Sequence, residues 1–268
     1  MHLSAAIVTL NEERRLPRTL ESLAGVADEI VVVDSGSTDR TREVAESHGA
    51  RVISHSWEGY ARQKNFAAEQ AKFDWILSLD ADEVLTPELA AELREIKERG
   101  PGNAIGFRMP RLACYRGRWI RHSGWYPDLK LRLYDRRRAR FVGDYVHESV
   151  QTEGPVGTLR GDLLHFTCDS LAEHFHTVDR YTTLAAQEAF AQSRSRKESP
   201  SKVLPRAFAM TLVGPPWKFF ETYVLRLGIL DGISGLLIAG MAGYYVHEKY
   251  AKLWRLCRGT LQPPEPNS

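Results

Sequence analysis

The sequence predicts an α/β domain built on an open, largely parallel sheet with helices on both faces, and three observations carry that expectation. Short apolar runs at residues 5–10, 30–33 and 75–79 have strand length. Segments of helical composition separate them at the spacing of βαβ units. The last run stops at Asp80, Asp82 and Glu83, three carboxylates in four positions, as a parallel strand does when it delivers acids to a ligand crevice.

Residues 5–10 read as the first strand, and Asn11-Glu12-Glu13 reads as the opening of a helix with Leu16, Leu20 and Leu23 on one face and Gly25 at its end. Residues 29–33 form a second strand. It runs into Asp34-Ser35-Gly36-Ser37-Thr38-Asp39, a turn rich in capping side chains ahead of a helix that lasts to Gly49. A third strand at 51–54 and a helix at 60–72 precede the fourth strand at 75–79. Thr86-Pro87 is a helix start, with Thr86 as N-cap and proline at the first helical position, and Gly100-Pro101-Gly102 is its stop. From 104 to 165 the pattern changes to short alternating pieces, which predicts a mixed or antiparallel extension of the sheet. Helical composition returns over 170–193, and residues 195–205, basic and bearing two prolines, read as a linker or hinge.

A chain of 268 residues can bury a substantial core, and its composition, 43% hydrophobic and 26% charged, favours neither disorder nor a polytopic membrane protein. Cys114, Cys168 and Cys257 are odd in number and match no zinc or CxxC spacing, so they are expected to be reduced and to act as small hydrophobes. The first residues lack a basic n-region and run straight into a strand, so no signal peptide is expected.

Charge is uneven along the chain. Residues 194–258 hold eleven Lys or Arg against four Asp or Glu, although the whole chain carries only +2. The same segment is aromatic and apolar, with Trp217, Phe219, Phe220 and Tyr223 ahead of an uncharged run of fifteen residues at 232–246. A helix needs roughly 20 apolar residues to span a bilayer. The expected arrangement is therefore amphipathic or re-entrant helices in one leaflet of an anionic membrane surface, although a core helix or an oligomer interface would show the same run. The expected division is a catalytic domain at 1–193, a membrane-associating region at 194–258 and a disordered tail at 259–268.

Asp80 and Asp82 lie on one side of an extended segment. Hard oxygen ligands suit Mg²⁺ or Mn²⁺, commonly shared with substrate phosphates. Asp34 would face the same crevice, either accepting hydrogen bonds from a nucleobase or ribose or capping the helix that follows. Without GxGxxG or GxxxxGK[ST], neither dinucleotide binding nor a P-loop is supported. Arg136-Arg137-Arg138 and Arg140 are explained by a solvated turn or by an acceptor bearing phosphates or acidic sugars. Nucleic acid is excluded as a partner because the patch is short and no recognition module surrounds it.

Taken together, 6–13, 31–39, Gln63-Lys64-Asn65 and Leu79-Asp80-Ala81-Asp82-Glu83 resemble the successive motifs of family 2 glycosyltransferases with the GT-A fold. Trp125-Tyr126-Pro127-Asp128, Val146-His147-Glu148 and Leu230-Asp231-Gly232 are similar to a bacterial branch that adds a sugar, glucose from UDP-glucose, to the lipopolysaccharide inner core. The resemblance implies a GT-A mixed sheet and an inverting, metal-dependent hexosyltransferase working on a glycolipid at the cytoplasmic face of the bacterial inner membrane, peripheral or monotopic. Thr9, Asn11, Glu13, Asp34, Lys64 and Asp80 match positions around the nucleotide, and Asp80, Asp82 and His147 match the metal shell. Asp128 corresponds to the base that takes the acceptor proton, with Pro127 in place of the family's usual glutamate, and Glu148 is the alternative base. Polyprenyl phosphate or protein acceptors, and a catalytically silent membrane-bound adaptor, share the same motifs.

Overall fold

The computed structural model describes residues 1–143 and 148–260. Its sheet begins with four parallel strands, β1 (Leu3–Thr9), β2 (Glu29–Asp34), β3 (Arg51–Ser54) and β4 (Trp75–Asp80), in the order β3-β2-β1-β4. The chain therefore winds outward from β1 in one direction and returns on its other side. Such a reversal opens a crevice beyond the carboxyl ends of the strands. Register places Thr9 beside Asp34 and Val8 beside Asp80, so Asp34 and Asp80 lie together at the carboxyl ends of the parallel strands.

Burial on both faces explains the near-continuous apolar strands. Leu3, Ala5 and Ile7 of β1 pack with Val32, Leu77 and Leu79 beneath residues of α1 (Leu16–Ser22), α2 (Thr41–Ser47) and α4 (Pro87–Arg99). On the opposite face Ala6, Val31, Val33 and Ile76 meet the alanines of α3 (Tyr60–Gln70). The α4 start is as the sequence indicates, with Thr86 Oγ1 accepting the Leu89 N–H at 3.2 Å and Pro87 at the first helical position.

Past β4 the sheet becomes mixed. A three-residue strand, β5 (Glu83–Leu85), follows the acids directly and was not apparent in the sequence. The long β6 (Gly106–Tyr115) and β8 (Asp128–Asp135) run antiparallel to each other, and β8 also pairs antiparallel with β4. β7 (Arg118–Ile120) and β11 (Val156–Thr158) pair with β6, while β9 (Ala139–Val142) and β10 (Ser149–Thr152) make a separate hairpin. Finally β12 (Leu163–Cys168) pairs antiparallel with β5, setting His165 opposite Glu83.

Two compact units result, one of 1–114 with 126–167 and the other of 115–125 with 168 onward. The second contains α5 (Leu171–Ser195), α6 (Pro200–Phe220) and α7 (Gly232–Cys257), so α5 falls with the other helices and not within a 1–193 domain. Residues 195–205 are not an extended linker. Only four residues separate α5 from α6, which absorbs Pro200 in its first turn and Pro205 in its interior. α7 runs 26 residues, well past the uncharged stretch, because its charged second half is accommodated by α5, where Lys252 Nζ lies 2.6 Å from Asp179 Oδ1. Between α6 and α7 stand a π-helical turn at Glu221–Leu225, a left-handed Leu227 and a 3₁₀ turn at Gly228–Asp231. Cys114 and Cys168 are buried, and Cys257 is half-buried. The expected tail from 261 onward lies outside the described residues.

The Asn11-Glu12-Glu13 helix start is corrected. Asn11 takes a left-handed φ of 55°, residues 11–15 form turns, and α1 begins at Leu16. These side chains are used in tertiary contacts described below, which outcompete a local cap.

Replacing Thr86 by Ala removes the cap of α4 and is expected to lower unfolding stability by about 1 kcal/mol. A urea-denaturation midpoint that shifts with no change of slope checks it.

Candidate active site

The loops after β1 and β2 brace each other. Asn11 Oδ1 accepts the Thr38 N–H at 2.8 Å, and the Asn11 N–H donates to Ser37 Oγ at 2.9 Å. Glu13 Oε2 accepts the Arg40 N–H at 3.0 Å, while the Glu13 N–H reaches Asp39 Oδ2 at 3.2 Å. Asp34 is buried and shapes its own turn, accepting the N–H groups of Gly36 and Ser37, both at 3.1 Å. It does not cap α2. Asp39 does the nearby work instead, accepting the N–H and hydroxyl of Thr41. Beside Asp34, the buried Thr9 hydroxyl has no partner among the described residues.

From α3, Gln63-Lys64-Asn65 reaches three ways. Gln63 Nε2 donates to Ser35 Oγ at 3.0 Å, Asn65 exchanges two 2.9 Å hydrogen bonds with the Phe141 backbone, and Lys64 points at the acids. Lys64 is 2% exposed, and its ammonium lies 2.8 Å from Asp80 Oδ1 and 3.3 Å from Glu148 Oε1. The other oxygen of Asp80 meets Arg132 Nη2 at 2.6 Å, and the same nitrogen lies 2.5 Å from Glu83 Oε1. Burial opposes ionisation of Asp80, but Arg132 and Lys64 outweigh it and hold the carboxyl well below the usual range. In return, Asp80 and Glu83 push the Arg132 guanidinium upward against its own burial.

Glu83 is a structural acid. Fully buried, it accepts the Asp80 N–H at 3.1 Å through Oε2 and binds Arg132 and Arg111 through Oε1, which fixes the loop. Asp82 differs from both. Its carboxylate meets the imidazole of His165, Nε2 to Oδ2 at 3.4 Å, and its carbonyl accepts the Phe166 N–H at 3.0 Å.

Asp128 opens β8 with both oxygens engaged, Oδ2 by Arg111 Nη2 at 2.6 Å and Oδ1 by Lys130 at 3.1 Å. Its burial works against the charge, yet Arg111 and Lys130 keep it below the ordinary carboxylate range. Glu148, the alternative base, pairs with Lys64 through one oxygen. His147 lies outside the described residues. The structure thus gathers Lys64, Asp80, Asp82, Asp128 and Glu148 into one network of charged groups, with Thr9, Asn11, Glu13 and Asp34 in the adjoining loops.

Among the described residues no three His, Cys, Asp or Glu side chains form a ready-made metal cage. The donor set nonetheless suits a hard divalent ion that shares its shell with phosphates, because among the described residues the Asp82 carboxylate is met by the His165 imidazole and by no Lys or Arg.

Arg111 and His165 escaped the sequence reading. Neither sits at a diagnostic spacing, and each arrives through strand register. The arginine run does form a turn, with Arg137 and Arg138 exposed, and it is also bonded to the fold. Arg136 donates to the carbonyls of Ala68 and Ala71 at the end of α3, Arg137 binds Asp135 and Asp74, and Arg138 donates to the Glu153 carbonyl, so these three hold the fold together.

The lowered pKa values of Asp80 and Asp128 fix the sign of an acid response. Their contribution to stability is complete above the ordinary value of 3.8 and is lost as pH falls through the lowered values. Thermal unfolding should therefore turn steeply acid-sensitive below about pH 4, and Asp128→Asn should flatten that limb.

Residues 4–152 match the family described as Glycosyl transferase family 2, a span that holds the whole charged network but His165. The lipopolysaccharide core biosynthesis glycosyltransferase LpsC of Rhizobium meliloti is 34% identical over 94% of this chain and 92% of its own length. An uncharacterized glycosyltransferase of Rickettsia bellii is 31% identical over 95% of this chain and 86% of its own. Among solved structures, glucosyl-3-phosphoglycerate synthase from Mycobacterium tuberculosis, in complex with Mn²⁺ and UDP-glucose, superposes with a TM-score of 0.35 at 24% identity, over 42% of this chain and 44% of that one. With the motifs in order along the chain, their side chains assembled at the carboxyl ends of the parallel strands and relatives matching over nearly its full length, this chain is a member of glycosyltransferase family 2.

Proposed function

We propose that the chain is an inverting, metal-dependent hexosyltransferase that moves glucose from UDP-glucose onto a lipopolysaccharide core or related glycolipid at the cytoplasmic face of the bacterial inner membrane. The observation that carries this reading is the pair of acids at the end of β4, one locked between two buried cations and the other left open to a ligand. The likeness to LpsC over nearly the whole chain supports the lipopolysaccharide acceptor.

Each residue then has a task. Asp34 and the unpartnered Thr9 hydroxyl lie where a nucleoside would need polar contacts, on loops that Asn11 and Glu13 keep rigid. A bound Mg²⁺ or Mn²⁺ supplies charge stabilisation for the departing diphosphate. Asp82 would hold it directly, with Asp80 as the ionised neighbour that Lys64 and Arg132 keep in place. Asp128, ionised throughout the neutral range, takes the proton of the acceptor hydroxyl as that oxygen bonds to the anomeric carbon and the carbon–diphosphate bond breaks. Arg111 and Lys130 orient it.

A panel of nucleotide sugars with Mg²⁺ or Mn²⁺ and extracted lipopolysaccharide core tests the reading, with UDP-glucose expected to give the fastest metal-dependent turnover. Asp82→Asn should abolish that turnover and weaken metal-dependent UDP binding in calorimetry. Retained turnover in Asp82→Asn would refute the metal role. For the base, Asp128→Asn is expected to lower kcat by about 10² to 10⁴ with donor KM little changed. Glu148→Gln, which leaves Lys64 facing Asp80 alone, is expected to act mainly on donor KM, and the reverse pattern would assign the base to Glu148.

A further inference from the structure

The second unit presents an apolar surface that the transfer reaction does not use. The outward side of α6 carries Phe208, Leu212, Val213 and Trp217 at helical spacing, and the turn after it adds Leu227 and Leu230. These six side chains are between 51% and 66% exposed, far more than a water-facing helix ordinarily leaves. No acid interrupts the outer side of α6 from Phe208 to Phe220.

Charge around this surface is mostly basic, and its acids are buried or paired. Between Thr222 and His247 the sequence has a single acid, Asp231, and it is buried. Ser123 Oγ donates to it at 2.9 Å, His122 Nδ1 lies 3.1 Å away and the Arg121 N–H reaches it at 3.4 Å, while Glu221 at the head of the turn is paired with Lys218 and Arg226, so both acids of the turn are engaged within the second unit. The arm that supplies these donors, residues 115–125, contains Arg116, Arg118 and Arg121 and no acid. It lies against the same turn. A Cβ at Gly232 would stand 3.1 Å from Arg118 Nη1, and the Ser123 N–H donates to the Arg226 carbonyl at 2.9 Å. Trp119 on the arm and Trp217 on α6 are both exposed, the aromatic pattern of a membrane interface.

By length and hydropathy, Gly228–Cys257 could cross a membrane. Its partners argue otherwise. α6 runs antiparallel beside α7, with Ala207 packed near Leu253, His247 Nδ1 3.1 Å from the Thr211 carbonyl and Gly243 against the Pro215 carbonyl. That pairing sets the Lys218–Glu221 ion pair, 2.9 Å apart, about level with the middle of the uncharged stretch of α7. A spanning α7 would carry this pair into the hydrocarbon centre, where charges are costly. It would also drag in α5, whose Asp179, Thr182 and Thr183 hold Lys252.

We propose that the outer side of α6 and the turn after it lie in one leaflet of an anionic phospholipid bilayer, with the arginines of 115–125 against the lipid phosphates and α7 crossing nothing. The inference rests on the membrane location given under Proposed function and adds the surface, its depth and the lipid class. An apolar face submerged in the interface with flanking cations is how in-plane helices bind membranes.

Flotation of the full-length chain with phosphatidylcholine vesicles, with and without one third phosphatidylglycerol, tests it. The chain should float with the anionic vesicles and much less with the neutral ones. Leu212→Glu with Trp217→Glu should cut flotation roughly tenfold or more, and Arg116→Gln with Arg118→Gln should remove the preference for phosphatidylglycerol. Both pairs should keep metal-dependent UDP-glucose hydrolysis, which shows that the first unit is intact. Sidedness supplies the second arm. In a Cys257→Ser background, cysteines introduced as Ser195→Cys and Thr260→Cys should both react with an impermeant maleimide added outside the vesicles. Protection of Thr260→Cys alone would mean that α7 spans and would overturn the proposal, as would undiminished flotation of the glutamate pair. Wild-type chain that floats with neither vesicle would overturn the membrane location itself, leaving the hydrolysis result to stand or fall separately.

Discussion

Two cations taken out of water, Lys64 and Arg132, organise the first unit. A buried ammonium or guanidinium is tolerated only if carboxylates meet it with good geometry. Asp80 serves both, and Glu83 and Glu148 each serve one more. Four segments distant in sequence, α3, the stretch from the end of β4 into β5, β8 and residue 148 ahead of β10, are thereby pinned to one point. Asp80 is thus a counter-ion of the fold as well as an acid of the site, and its removal would strand two buried charges. Asp82, which among the described residues has an imidazole as its ionic partner and no Lys or Arg, is the acid whose chemistry can be examined without disturbing the core.

Much of this was legible in the sequence. Strands buried on both faces read as unbroken apolar runs, so β1 to β4 and their acidic ends could be placed within about two residues. Thr86-Pro87 was legible because a cap acts locally. What could not be read depends on partners far along the chain. Asn11 and Glu13 resemble a helix start but are spent on the neighbouring loop, and β5 exists only because β12 pairs with it. His165 and Arg111 have no local signature at all. An arginine run looks the same whether it faces water or, as with Arg136, closes the end of a helix. In the C-terminal half, the length of α7 was hidden because the fit of Lys252 depends on the acid and hydroxyls that α5 offers.

The site also shows how a carboxylate's surroundings sort its role. Glu83 is fully buried and saturated by donors, Asp128 is ionised and steered by two cations, and Asp82 has its coordination capacity largely unspent. The same functional group meets different surroundings according to its burial and the partners that strand register supplies. These differences in surroundings arise from geometry that no single motif contains.

The mutual bracing of the loops after β1 and β2 has an evolutionary consequence. Asn11 and Glu13 on one side, and Ser37, Thr38, Asp39 and Arg40 on the other, satisfy one another through side chain to backbone hydrogen bonds. Neither loop can change its path alone without stranding the other's polar groups. Altered nucleotide preference within this lineage should then come as paired substitutions across the two loops, or from positions outside them, and single exchanges at these residues should be rare among active relatives.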